Sequence, residues 1–281
     1  MFFENFFFTF FVQIALKVEN AYDNMPPRRK AIGQEILRLK IREFPIHKMK
    51  PESKVIMIGK PGSGKSTLIK DVYYRHKHIF PVTKVFSGTE QEEAFFKDFI
   101  PDIFIENEYN ADSVQRFIDR QKKCKKTIEI PWGLLCLDDV SDEASEFNKK
   151  MWQSIFKLSR HWNMMTILSL QHCLDLGPKL RGLTDYIFIL NEKMKDTREK
   201  MYKTFCSMVG DFNTFSQVMD EIAVNHTALV IDNKAQSSNV EDCVFYYKAE
   251  KHPGFKFGCD ELWEWDAQRR NENWEEDMAM N

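Results

Sequence analysis

Three short stretches hold residues whose types and spacing suit phosphate chemistry. Gly59-Lys60-Pro61-Gly62-Ser63-Gly64-Lys65-Ser66 fits the phosphate-loop pattern G-x-x-x-x-G-K-S/T without a mismatch. Its glycines let the backbone curl until several N–H groups face a β-phosphate. Lys65 then reaches the β- and γ-oxygens, the Ser66 hydroxyl ligates Mg2+, and Thr67 closes the nucleotide-binding run. "LLCLDDV" is an apolar strand ending in two acids: Asp138 would hold the Ser66–magnesium cluster, and Asp139 is placed to polarise an attacking water. "MMTILSLQH" ends a third apolar strand in Gln171, a side chain able to donate to phosphate and accept from water. The sequence thus specifies a magnesium-dependent ATP site with Lys65, Asp138, Asp139 and Gln171 as catalytic candidates.

These residues need a parallel sheet to bring them together, because ligands bind at the carboxyl ends of its strands. The pattern supplies one. Strands are expected near 54–58, 83–87, 133–138, 164–170 and 185–190, and helices over 66–77, 90–99, 111–124, 144–161 and 194–208. Continuous apolar strand cores alternating with helices mark a mostly parallel α/β sheet with helices on both faces. "EILRLKIREF" alternates, with Leu37, Leu39 and Ile41 on one face, and reads as an earlier, half-exposed strand. "TALVID" and "DCVFYYK" could extend the sheet. The expected organisation is an apolar segment with a basic linker over 1–30, an ATPase domain over 31–250, and an acidic tail or helix over 251–281.

Composition narrows the class. The 281 residues are 43% hydrophobic and 29% charged, with a net charge of −2, so contact with nucleic acid must come from local patches. Six scattered cysteines form no C-x-x-C pair, which favours reduced thiols over a disulfide framework or zinc site. The apolar run near the start is shorter than the roughly 20 residues of a membrane span. Glu4 stands where a signal peptide carries positive charge, so membrane attachment is not expected. A docking segment, or translated upstream sequence with Met25 as a second start, fits that run instead. No N-K-x-D guanine motif, L-S-G-G-Q transporter signature or arginine-rich kinase lid is present.

Taken in order, these motifs resemble those of the DNA-packaging ATPases of the nucleocytoplasmic large DNA viruses, a branch of the FtsK/HerA superfamily. The likeness is carried by "FPIHKMKPESKVIMIGKPGSGKST", "LLCLDDV", "KLSRHWNMMTILSLQ", "LRGLTDYIFIL" and "ALVIDN…VFYYKA", over roughly residues 36–250. The resemblance implies a RecA-like sheet, a homo-oligomeric ring, and ATP-driven movement of double-stranded DNA into a capsid at the assembly site in the host cytoplasm. It also implies an arginine donated across a subunit interface: Arg160, from the Arg-His pair, or Arg181. Asp139 departs from the Asp-Glu of many superfamily members. For DNA the sequence offers Arg120, Lys122, Lys123, Lys125 and Lys126 in "RQKKCKK", and a second basic run, "KMKDTREKMYK"; contact through phosphate without base reading is expected. A lone NTPase or kinase of a small substrate, and a non-translocating ATP-binding assembly factor, remain alternatives.

Overall fold

The structure is a computed structural model and describes residues 41–129, 131–139, 147, 149–172 and 176–269. The N-terminal segment, the basic linker, Leu37 and Leu39, the start of the helix expected from 144, Cys173 and the chain after 269 lie outside the described residues.

Among the described residues nine strands form one sheet: β1 (Arg42–Glu43), β2 (Lys54–Ile58), β3 (Val82–Ser87), β4 (Ile105–Glu106), β5 (Gly133–Asp138), β6 (Met164–Leu170), β7 (Tyr186–Ile189), β8 (Thr227–Asp232) and β9 (Val244–Lys248). Their order is β1-β9-β8-β7-β2-β6-β5-β3-β4, and β8 alone runs against its neighbours. The central order β7-β2-β6-β5-β3 is the RecA-like arrangement expected, and "TALVID" and "VFYYK" extend it as β8 and β9. Helices are α1 (Lys65–His76), α2 (Glu90–Glu93), α3 (Ala111–Thr127), α4 (Lys150–Leu158), α5 (Pro178–Arg181), α6 (Lys195–Met201), α7 (Phe212–Ile222), α8 (Val240–Cys243) and α9 (Asp260–Arg269).

Both sheet faces are covered, which explains the unbroken apolar runs. In β2, Ile56 and Ile58 pack with Leu135, Leu137, Trp152 and Phe215, while Val55 and Met57 pack with Leu68, Val72, Tyr73 and Phe188. Each such side chain contributes about 1.5–3 kcal/mol on full burial.

The helix expected over 90–99 breaks. After α2 the chain turns at Ala94, φ 48°, and resumes as a 3-10 turn, Phe96–Asp98. The buried Glu90 carboxylate accepts the N–H groups of Phe96 and Lys97, both at 2.9 Å. This local trap outcompetes helix continuation and delivers Phe96, Phe99 and Ile100 to the core. The helix expected over 194–208 is α6 continued by a π-helical turn, Tyr202–Cys206.

One buried acid ties the ends of the fold together. Asp71 of α1 is fully buried; it accepts from Tyr247 Oη at 2.6 Å, Arg75 Nε at 2.8 Å and Glu250 N at 3.2 Å, and contacts His252 Nε2 at 2.6 Å. The His252 ring stacks on Tyr74 of α1 at 3.8 Å. Beyond β9, Phe257 is buried against Tyr73 and Phe80, and α9 places Asp266 to accept the N–H of Ile103.

Candidate nucleotide site

β2 ends at Ile58 and the chain turns through residues 59–64 into α1. The turn needs its glycines at two places. A Cβ at Gly59 would lie 2.5 Å from Ser63 Oγ and 2.9 Å from Leu190 Cβ, and Gly64 adopts φ 109°. Gly64 caps α1 without a side-chain hydrogen bond, which leaves the first N–H groups of the helix open to an anion. Lys65, nearly buried, donates from Nζ to the Gly59 carbonyl. Burial pushes its ammonium pKa down, while Asp139 and Asp138 pull it back up.

Asp138 ends β5 and is 5% exposed. Burial raises its carboxyl to about 6, against the pull of Lys65. It stands in register with Ser87 of β3 and Ser169 of β6, so three polar residues line the carboxyl edge of the sheet beside the phosphate loop. Among the described residues, the buried hydroxyls of Ser63 and Ser87 have no hydrogen-bond partner. Unsatisfied buried hydroxyls and a buried acid at one sheet edge are the environment a hydrated cation and phosphate would complete, and Ser66 and Asp138 are the hard oxygen donors magnesium takes.

Asp139 takes the left-handed conformation, φ 52°. Asp and Asn are the non-glycine residues that tolerate this best, so a short acid suits this position. Gln171, immediately after β6, donates its amide to Asp139 Oδ1. The two residues expected to hold the attacking water are therefore in contact. The cleft measures about 760 Å³; Lys60, Pro61, Gly62, Gly64, Lys65, Ser66, Thr67, Asp138 and Asp139 line it.

The sequence missed the rest of the lining: Thr89, Glu93, Asn225, His226, Lys248, Ala249 and Lys251. The antiparallel β8 begins, and β9 ends, at the carboxyl edge, and that topology brings the last five in; no local motif announces it. His226 Nδ1 lies 3.1 Å from the Ser63 carbonyl. Glu192, also unforeseen, is buried just past β7 and pairs with Lys60 at 2.8 Å. Burial alone would raise its carboxyl, but Lys60 and the Met194 N–H hold it below the usual range.

The candidate arginines lie elsewhere. Arg160 is exposed in the 3-10 turn Ser159–Trp162, which enters β6 at its amino end. Seven residues of strand, about 23 Å, separate it from the carboxyl edge. Arg181 ends α5, shortly before the Asp185 N–H meets the carbonyl of Lys54 at the amino end of β2. Neither arginine is brought to the phosphate loop of its own chain.

The basic run of α3 also lies at the amino edge, and much of it is engaged. Arg120 donates to Gln121, Lys122 pairs with Asp119 at 3.0 Å and sits over the Trp162 ring, and Lys125 donates to the His161 carbonyl at 2.7 Å. Lys123 and Lys126 are exposed.

Sheet order and phosphate loop together define a RecA-like P-loop NTPase. Residues 43–252 match the poxvirus A32 protein family, and the chain belongs to that family. It is 42% identical over 213 residues to protein 088R of Invertebrate iridescent virus 3, spanning 74% of this chain and 82% of that one. Protein L437 of Acanthamoeba polyphaga mimivirus is 32% identical over 240 residues, 80% of this chain and 82% of the relative. The fold is similar to that of B204, the DNA-packaging ATPase from Sulfolobus Turreted Icosahedral Virus: TM-score 0.55 at 18% identity, over 72% of this chain and all of B204. The resemblance read from the ordered motifs is borne out.

Proposed function

We propose that this chain is the ATP-driven motor that moves double-stranded viral DNA into the capsid. The observation that carries the reading is the convergence of Lys65, Asp138 and Asp139, the last hydrogen-bonded by Gln171, on one cleft, in a chain of the A32 family whose fold matches a packaging ATPase. Residues 59–67 bind the triphosphate, and Lys65 leaves the Gly59 carbonyl for the β- and γ-oxygens. Asp139, steered by Gln171, holds the attacking water and takes up its proton. Ser66 and Asp138 would hold Mg2+, which supplies positive charge to the phosphate oxygens when bound.

Both arginines lie at the sheet edge away from their own cleft, so either can reach γ-phosphate only from a neighbouring subunit. This supports a homo-oligomeric ring. The ATPase domain comprises 31–250, and the segment packed on it through Phe257 and Asp266 belongs with its C-terminal extension. DNA contact is through phosphates, with Arg120, Lys122, Lys123, Lys125 and Lys126 as one candidate surface. Among the described residues no helix is long and apolar enough to cross a membrane, and the proposed site of action is the virus assembly site in the host cytoplasm.

The test is the rate of phosphate release with and without duplex DNA, together with the assembly state in ATP. A ring whose turnover rises with duplex of any sequence is expected. A monomer indifferent to duplex, with intact turnover, overturns the motor.

A further inference from the structure

The second basic run begins in the loop just past β7, on the same sheet edge as the phosphate loop. Lys193, Met194 and Lys195 are all exposed, and Met194, at 58%, is the most exposed large apolar side chain among the described residues. Neither lysine has an acidic partner among the described residues. The lysines of α3 at the opposite edge are in part paired internally.

The root of this segment is wired to the nucleotide site. The Glu192 side chain is 2% exposed, yet its cation, Lys60, belongs to the phosphate loop and is 47% exposed. The same carboxylate accepts the Met194 N–H at 2.8 Å. From the other side, buried Arg198 donates to the Glu192 carbonyl and is itself held by Ser216 Oγ at 2.9 Å and Asp220 at 2.6 Å.

We propose that the exposed residues Lys193, Met194 and Lys195, where the loop after β7 enters α6, grip the phosphate backbone of duplex DNA, and that the Lys60–Glu192 ion pair couples this grip to the nucleotide. A triphosphate in the loop competes for the Lys60 ammonium. A buried carboxylate deprived of its cation is strongly destabilised, so Glu192 must move or be re-paired. Its movement draws on the Met194 N–H, at the centre of the exposed segment. Because Arg198 anchors the other end, the displacement passes to the lysines. Two phosphate-seeking cations flanking an apolar side chain suit a sugar–phosphate backbone read without regard to base. By linkage, duplex on the segment must alter nucleotide affinity by the same factor that nucleotide alters duplex affinity.

This inference rests on the motor reading, and the experiment separates the two. Duplex affinity of the full chain is measured against salt, with and without a non-hydrolysable ATP analogue. The parent should show an analogue-dependent change in affinity of about 5–150-fold, the range of measured couplings. Lys193→Ala with Lys195→Ala should lower the log–log salt slope by about 0.9 for each phosphate no longer neutralised. Glu192→Gln should keep the slope but reduce the analogue effect to within about twofold, well short of a typical coupling. Lys60→Gln reaches the same end from the exposed partner, so a fold defect in Glu192→Gln does not decide the result. Because Lys60 lies in the nucleotide-binding run, this variant is assayed at analogue concentrations where its own analogue binding is measured and saturated. A parent that binds no duplex overturns the motor reading along with this one. A parent that binds duplex, with an unchanged slope in the double alanine or an analogue effect that survives both Glu192→Gln and Lys60→Gln, overturns this inference alone.

Discussion

The two edges of the central sheet are built from similar residues put to opposite uses. Around Asp138 at the carboxyl edge, polar groups are buried and some lack partners among the described residues: Lys65 is nearly buried, Asp138 is raised to about 6, and the Ser63 and Ser87 hydroxyls make no hydrogen bonds. At the amino edge charge is largely exposed, and much of it is tied up: Lys122 on Asp119 and Trp162, Lys125 on the His161 carbonyl. Partners withheld at one edge leave capacity for a ligand there, whereas satisfied charge at the other mainly keeps a surface wet. Reactivity follows from that difference rather than from the number of basic residues.

The sharpest way to break this comparison is Lys65→Ala. Phosphate release is expected to fall below detection and nucleotide binding to weaken severely, because Lys65 is the cation that the phosphate-loop motif directs at the β- and γ-oxygens. Parental turnover in this variant would remove the carboxyl edge from the chemistry.

Next in size is the arginine of the amino edge. Arg160→Ala is expected to bind ATP nearly normally and to hydrolyse it about 10³–10⁵ times more slowly. Mixed with Lys65→Ala subunits it should regain part of the activity, because an intact phosphate loop can then face an intact arginine. The same mixing with Arg181→Ala assigns the role. If neither arginine variant is rescued, the amino edge has no part in catalysis.

Asp138 gives a pH signature confined to the carboxyl edge. Its folded pKa, about 6, lies above the usual 3.8, so the neutral acid is favoured on folding. The stabilisation is complete below about pH 4 and is lost as pH rises through about 6, a swing of about 3 kcal/mol without cation. Mg2+–nucleotide needs the ionised form. Its affinity should therefore fall up to about tenfold per unit below pH 6, and ligand-induced thermal stabilisation should be larger at pH 8 than at pH 5. A flat affinity profile from pH 5 to 8 would detach Asp138 from the cation.

The smallest expected effect belongs to α3. Reversing Lys122, Lys123, Lys125 and Lys126 together should weaken duplex binding uniformly across sequences and lower the salt slope by about 0.9 for each phosphate released. Lys122 and Lys125 already have partners within the chain, so the slope should fall by less than four free lysines would give. An unchanged slope marks this surface as merely solvated.

Much of this could be read in the sequence because it is local. Three central strands, Lys54–Ile58, Gly133–Asp138 and Met164–Leu170, match expectation residue for residue, since each is an apolar run bounded by polar or turn residues. Asp139 and Gln171 are each legible as a strand end; only the register of β5 on β6 makes them partners. Helix α7 went unforeseen, although Asp211 caps it by accepting the Thr214 N–H at 2.8 Å and its apolar residues fall on one face. The break after α2 depends on Glu90 folding back on Phe96, a competition between side chain and backbone that periodicity does not report. Glu192 and His226 reach the phosphate loop only through β7 and β8, so nothing near them in the chain marked them.

The buried Asp71 has a consequence for how the protein is made. Its partners Tyr247 and His252 are synthesised 176 and 181 residues after it. Until they emerge from the ribosome, the helix that starts at the phosphate loop carries an acid with only Arg75, four residues on, to offset its burial. The nascent chain therefore holds a complete phosphate loop well before it holds all the partners of the acid in the helix that follows.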